Sequence, residues 1–278
     1  MTMLILHKSF TEIPIINRKT IKCSLCSMKF KPYLWIVVFL AALAIGASPA
    51  YSRMYHQSPT GFQVSTFAAL SAGVFEEATT LDKLKSRGDF GIGTVEGLDG
   101  EVVAVDGEFY QVKADGVASR LADQAKVPFS TVAFFRPERS LRLTGQLTYA
   151  ELQQQIDKQL PTVNTPYAIR LRGTFPAVKA RSVPKQTPPY PLLTEAVKQQ
   201  KIFELQNVPG TLVGFRLPQS FKAVNVAGYH FHLLTRDRKT GGHLLDATFS
   251  DPVVEIQTLR DWQIVLPNNS AFEKASLE

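Results

Sequence analysis

Asn225-Val226-Ala227-Gly228-Tyr229-His230-Phe231-His232-Leu233-Leu234-Thr235, continued by Arg236-Asp237-Arg238-Lys239-Thr240-Gly241-Gly242-His243-Leu244-Leu245-Asp246, decides how the rest of the chain is read. In its first half the alternation is clean. Tyr229, Phe231 and Leu233 fall on one face of a strand, and His230 and His232 on the other. Lys239-Thr240-Gly241-Gly242 is a turn signal, and the apolar run His243 to Phe249 then returns antiparallel to the first. The stretch is therefore a hairpin. Two imidazoles at positions i and i+2 stand ~6.6 Å apart along a strand, at a rise of ~3.3 Å per residue. They can lean onto one ion with bonds of ~2.1 Å. One histidine on a strand face is ordinarily a solvated or hydrogen-bonded side chain, and His-x-His also arises by chance. Here the hairpin return brings His243 to the same point, and three of the chain's five histidines converge. The reading is a three-histidine metal site with an open position.

Outward from the hairpin, the chain after Lys201 is almost all strand: Ile202–Asn207, Gly210–Arg216, Val224–Leu234, Leu244–Phe249, Val253–Leu259 and Gln263–Leu266. Strands at such short intervals with no helix between them point to an antiparallel barrel or sandwich. Before it, residues 60–88 read as helical, with Phe67, Leu70 and Val74 on one face and Gly88 as the stop. Residues 89–135 read as a meander of short strands, with Asp106-Gly107 as a tight hairpin turn. Asp89-Phe90-Gly91-Ile92-Gly93-Thr94 lacks the third glycine and the following helix of a dinucleotide fingerprint, which excludes that class. Thr148-Tyr149-Ala150-Glu151 is a capping box that opens a helix ending at Pro161. Tyr167 to Phe175 is a strand with Arg170 and Arg172 on one face, and the proline-rich 181–191 stretch is extended loop.

The net charge of +7 belongs mostly to the first 50 residues, where Lys8, Arg18, Lys19, Lys22, Lys29 and Lys31 face only Glu12. The remainder is nearly balanced and gives no electrostatic footprint for nucleic acid. Basic residues, then the apolar run from Leu34 to about Ile45, then Gly46-Ala47-Ser48-Pro49-Ala50, form a signal-peptide pattern. The run is shorter than the ~20 residues of a spanning helix. The expectation is a cleaved leader over 1–50, with Met28 as a second possible start, and an exported protein. An uncleaved leader would be its one membrane attachment. Cys23 and Cys26 both lie in this leader, so the mature chain has no thiolate ligands and any metal is held by imidazole or carboxylate.

Six stretches, in register over roughly residues 55–278, resemble the α-acetolactate decarboxylase family: Gly88-Asp89-Phe90-Gly91-Ile92-Gly93-Thr94; Leu98-Asp99-Gly100-Glu101; Asp106-Gly107-Glu108-Phe109-Tyr110; Arg181-Ser182-Val183-Pro184 with Gln186-Thr187-Pro188-Pro189-Tyr190; Leu212-Val213-Gly214-Phe215-Arg216; and the His-x-His…Gly-Gly-His hairpin itself. The resemblance implies an α+β protein, with an N-terminal mixed β-sheet domain with helices (51–165) and a C-terminal antiparallel β-barrel domain carrying the metal site (166–278). It implies a homodimer and a lyase of acetoin biosynthesis that decarboxylates 2-acetolactate, a 2-hydroxy-3-oxo acid, to acetoin. It implies zinc on His230, His232 and His243, with Glu101, Arg181 and, less directly, Thr94 as catalytic residues.

The chemistry accounts for those residue types. Loss of CO₂ leaves an electron pair beside a ketone, an enediolate, which a cation stabilises. A guanidinium orients carboxylate or ketone oxygens, and a carboxylic acid supplies the proton that replaces CO₂. Without the resemblance, Glu101 reads as a solvated turn residue and Arg181 as a surface loop residue. Family members carry a second active-site glutamate in a longer tail, and neither Glu273 nor Glu278 matches it. Either the sequence is truncated or the chain is a catalytically impaired metal-binding relic; the other alternative, in which His-x-His also supplies ligands, is a cupin-like metal-dependent oxygenase or isomerase. A cupin adds a carboxylate soon after His-x-His, whereas Asp237 sits in the turn.

Overall fold

The computed structural model describes residues 59–277. The leader, with its cleavage site, Met28 and both cysteines, lies outside the described residues, as does Glu278. In chain order the elements begin with β1 (Thr60–Val64), α1 (Phe67–Ser71), β2 (Thr79–Thr80), α2 (Leu81–Lys85), β3 (Phe90–Thr94), β4 (Glu101–Val105) and β5 (Glu108–Val112). They continue with β6 (Ala118–Arg120), β7 (Lys126–Val127), β8 (Phe129–Ala133), β9 (Arg139–Arg142), β10 (Gln146–Thr148), α3 (Tyr149–Gln159) and β11 (Tyr167–Ser182). The last are α4 (Leu193–Ala196), β12 (Lys201–Leu217), β13 (Gly228–Thr235), β14 (Gly241–Ser250), β15 (Val253–Thr258), β16 (Asp261–Val265) and α5 (Ser270–Lys274).

Two seven-stranded sheets carry the architecture. The first runs β16-β1-β8-β3-β4-β5-β6 and is mixed, because β16 pairs with β1 in parallel while its other pairs are antiparallel. The second runs β10-β14-β13-β12-β11-β15-β9 and is antiparallel. Its long β11 pairs with β15 along one half and with β14 along the other. That added pairing closes β11, β12, β13 and β14 into a ring of four. The topology establishes an antiparallel sheet with this ring, not a closed barrel. The sheets also exchange strands across the expected 165/166 boundary: β9 and β10 join the second sheet, and β16 joins the first.

Alternation sorts the side chains into layers. Val103 and Val105 of β4 pack with Val213, Phe215 and Leu234 in a core between the sheets. Val102 and Ala104 face the other way, onto Leu81 and Leu84 of α2. On the far side of the second sheet, Leu152 and Ile156 of α3 pack on Leu212, Phe231 and Leu233. Each valine, leucine, isoleucine or phenylalanine among them, once buried, contributes about 1.5–3 kcal/mol. Thr148 caps α3 as expected, its hydroxyl accepting from the Glu151 amide and the Glu151 carboxylate accepting from the Thr148 amide at 2.8 Å.

Several expectations are corrected. Residues 60–88 are not one helix: Thr60–Val64 is a strand, and only Phe67–Ser71 and Leu81–Lys85 are α-helical. Phe67 and Leu70 fall in one short helix that ends at Ser71, before the buried Val74, and the preceding segment is taken as the strand between β8 and β16. The two strands expected at 202–207 and 210–216 are one, β12. Asn207 adopts φ 51° there, and Pro176 and Asn207 drop out of the β11–β12 pairing, but the register is the same on both sides, so the strand continues. Gly241 and Gly242 belong to β14, and the hairpin turn is the five residues before them.

Candidate metal centre

The three histidines meet where the second sheet faces the first. His230 and His232 share the β13 face that carries Leu234 into the core between the sheets, and His243 of β14 lies directly opposite His232. Their nearest ring nitrogens form a tight triangle: His230 Nε2 to His232 Nε2 is 3.2 Å, His230 Nε2 to His243 Nδ1 is 3.1 Å, and His243 Nδ1 to His232 Nε2 is 3.3 Å. Ligands ~2.0–2.1 Å from a tetrahedral zinc stand about 3.3–3.4 Å apart, so the triangle fits one ion. Two glycines allow the approach. A Cβ on Gly241 would clash with the Leu233 carbonyl. One on Gly242, at φ 133°, would stand 2.5 Å from the Arg181 carbonyl.

Protonation favours the same reading. The Nδ1–H of His232 donates to the Val102 carbonyl of β4 at 2.8 Å, which turns its Nε2 lone pair toward the other two rings. Burial depresses all three imidazoles. His230 is pulled down to about 3, with the Arg181 charge assisting. His232 and His243 are likewise lowered by burial first and then by neighbouring histidines and Arg181. Three neutral rings with nitrogens turned inward are a cation's donor set, and it is the one such group found among the described residues.

Glu101 and Arg181 stand against this triangle. Glu101 opens β4 on the face of Val103 and Val105, and its Oε2 lies 3.5 Å from His232 Nε2. Its Oε1 lies 3.8 Å from Arg181 Nη1. Burial pushes the Glu101 carboxyl up to about 7, against the opposing pull of Arg181. Arg181 pairs in register with His243 at the end of β11, where the β11–β14 ladder bulges at Lys179/Ala180. The chain then folds over the turn preceding Glu101. Ser182 Oγ donates to the Val112 carbonyl at 2.8 Å, the Gly100 amide to the Val183 carbonyl at 3.1 Å, and the Gln186 amide to the Gly97 carbonyl at 2.7 Å. These bonds clip the Arg181 strand to the Glu101 strand.

The fold thus brings together five of the six expected side chains. Thr94 is buried opposite Glu101 in the β3–β4 ladder, but its hydroxyl donates to the Gly100 carbonyl at 2.7 Å. It braces the turn behind Glu101. The Val102 carbonyl leaves no mark in the sequence, because a backbone acceptor has no residue signature. Asp237, the cupin-type candidate, accepts from the Thr235 hydroxyl at 2.7 Å and the Lys239 amide at 3.2 Å. It caps the turn and is not a ligand in the triangle.

The family profile for alpha-acetolactate decarboxylase matches residues 62–278. A relative from Methanosarcina mazei bearing that name is 43% identical over 216 residues, covering 78% of this chain and 75% of its own. One from Brevibacillus brevis is 41% identical, covering 84% and 80%. The crystal structure of alpha-acetolactate decarboxylase from Bacillus subtilis strain 168 superposes with a TM-score of 0.77 at 38% identity, over 79% of this chain and 94% of that one.

Proposed function

Because this chain belongs to the α-acetolactate decarboxylase family, we propose that its three-histidine centre holds zinc and that Glu101 and Arg181 complete a site that converts 2-acetolactate to acetoin and CO₂. The activity class, a carbon–carbon lyase, comes with the family. The observation that supports the metal is the triangle of nitrogens 3.1–3.3 Å apart with a proton donor and a guanidinium beside it. A zinc ion there supplies fixed positive charge next to the carbon that loses CO₂.

The chain's own residues divide the remaining work. The carbon–carbon bond to the carboxylate breaks, and its electron pair stays on the carbon next to the ketone. Arg181 orients the substrate's carboxylate or ketone oxygens through paired hydrogen bonds. Glu101, held partly protonated by burial near neutral pH, delivers the proton that takes the place of CO₂ and is recharged from solvent. Val102 fixes the ring of His232, and Thr94 braces the turn that presents Glu101.

Purified, zinc-loaded protein should form acetoin from racemic 2-acetolactate well above the spontaneous rate, and no excess over that rate would refute the reading. Export is proposed on the leader's pattern, and the N-terminal mass of the secreted protein checks it. A homodimer is proposed on the family resemblance, and light scattering giving a monomer mass would overturn it.

A further inference from the structure

The two hairpins that build the centre meet a second time at their far ends, and the chemistry above makes no use of that meeting. β4 and β5 are joined by Asp106-Gly107 with φ of 54° and 81°, the positive pair of a type I′ turn. This turn offers two carboxylates to the second sheet. Asp106 accepts from Arg172 Nη2 at 2.8 and 2.6 Å and from Arg170 Nη1 at 3.3 Å. Arg170 is a fixed post: it is bidentate to Glu255 at 2.6 and 3.0 Å, and its guanidinium lies 4.7 Å from the Phe135 ring centre. Glu108 accepts from Arg238 Nη1 at 2.5 Å, from the Tyr110 hydroxyl at 2.7 Å and, within its own sheet, from Arg120 of β6, and Arg238 Nη1 also donates to the Tyr110 hydroxyl at 2.8 Å. Arg238 is in the turn of the metal hairpin. Three arginines therefore receive the tip of the hairpin whose other end is Glu101.

The distances make β4 a short lever. Glu101 and Val105 are four residues apart, ~13 Å along a strand. One end stands beside Arg181 and His232, the Val102 carbonyl rests on His232, and the far end is held by the arginines. We propose that Asp106 and Glu108 are positioning residues for the decarboxylation. By seating the β4–β5 turn among Arg170, Arg172 and Arg238, they set the distance of Glu101 from the three histidines and the face of the reacting carbon it addresses. The inference rests on Glu101 being the proton donor. The pairs are partly exposed, with the Asp106 side chain at 53%, so each adds little to stability in water. Placement is more sensitive, since a shift of ~1 Å in a reacting group can cost about 100-fold in rate.

The test is the double variant Asp106→Asn, Glu108→Gln in the full, zinc-loaded chain. Its kcat for acetoin formation is expected to fall about tenfold, with KM and zinc content unchanged. The enantiomeric excess of the acetoin, after subtraction of spontaneous product, is expected to fall too, because a displaced donor reaches both faces. Glu108→Gln alone leaves Asp106 in place and should show the same changes in smaller measure, which keeps the test usable if the double variant does not fold. Wild-type kcat and enantiomeric excess in a folded variant would overturn the proposal. So would a loss of rate that tracks lost zinc at unchanged enantiomeric excess. A wild-type chain that makes no acetoin fails earlier and separately, at the proton-donor reading itself.

Discussion

The histidine hairpin, β13–β14, and the hairpin that carries Glu101, β4–β5, supply the two halves of the proposed centre by different means. In the first, what places the imidazoles is mainly local: strand alternation, one turn, and two glycines that let β14 approach β13 and β11, with the Val102 carbonyl on the His232 ring as the one remote contact named above. In the second, what places the Glu101 carboxyl is remote. Arg181, Ser182, Val183 and Gln186 arrive from a strand end and loop some eighty residues downstream. The proposed ligand set is thus largely a property of one supersecondary unit, while the environment of the proposed proton donor is a property of the whole fold. The same burial also acts on the halves with opposite sign, lowering the imidazoles and raising the carboxyl.

If the halves are separable, removing the acid half must leave the metal half intact. Glu101→Gln is expected to lower kcat by roughly 10²–10⁴-fold, the usual contribution of a positioned general acid. Zinc analysis of the same preparation should still give one ion per chain. Loss of zinc in this variant would mean that Glu101 helps to hold the ion and that the division is wrong.

The opposite signs give a smaller effect, in the metal-free protein. The histidines are depressed in the folded state, so their stabilisation is fully present above the unfolded pKa of 6.5 and is lost as pH falls toward the folded values, about 3 for His230. Glu101 is raised, so its contribution is present below the unfolded 4.5 and is lost as pH rises toward about 7. Each excluded or retained proton changes stability by about 1.4 kcal/mol per pH unit. Three imidazoles outweigh one carboxyl. The melting temperature of metal-free protein should therefore rise from pH 5 to pH 7, and rise more steeply in Glu101→Gln. A fall over that interval would contradict the assignment of buried neutral histidines.

The difference between the hairpins also explains what was legible in the sequence. His230, His232 and His243 could be read from spacing alone, as could the Asp106-Gly107 turn and the capping box at Thr148. Glu101 and Arg181 could not, because their partners lie far away in the chain; without the family resemblance they read as surface residues. The Arg170 and Arg172 face was visible as alternation, but its purpose, receiving Asp106, needed the packing of one sheet on the other. The error at residues 60–64 has the same origin. Phe62 and Val64 carry apolar side chains that suit a helix or a strand, and the neighbours β8 and β16, the latter some two hundred residues away, decide for the strand.

The proposed function stands on three imidazoles of one hairpin holding the ion on which decarboxylation depends. His230→Ala tests it most directly, with bound zinc and acetoin formation measured on the same folded protein. Zinc is expected to fall far below one per chain, and the rate to the spontaneous one. Zinc retained at full occupancy, or activity retained without it, would contradict the claim.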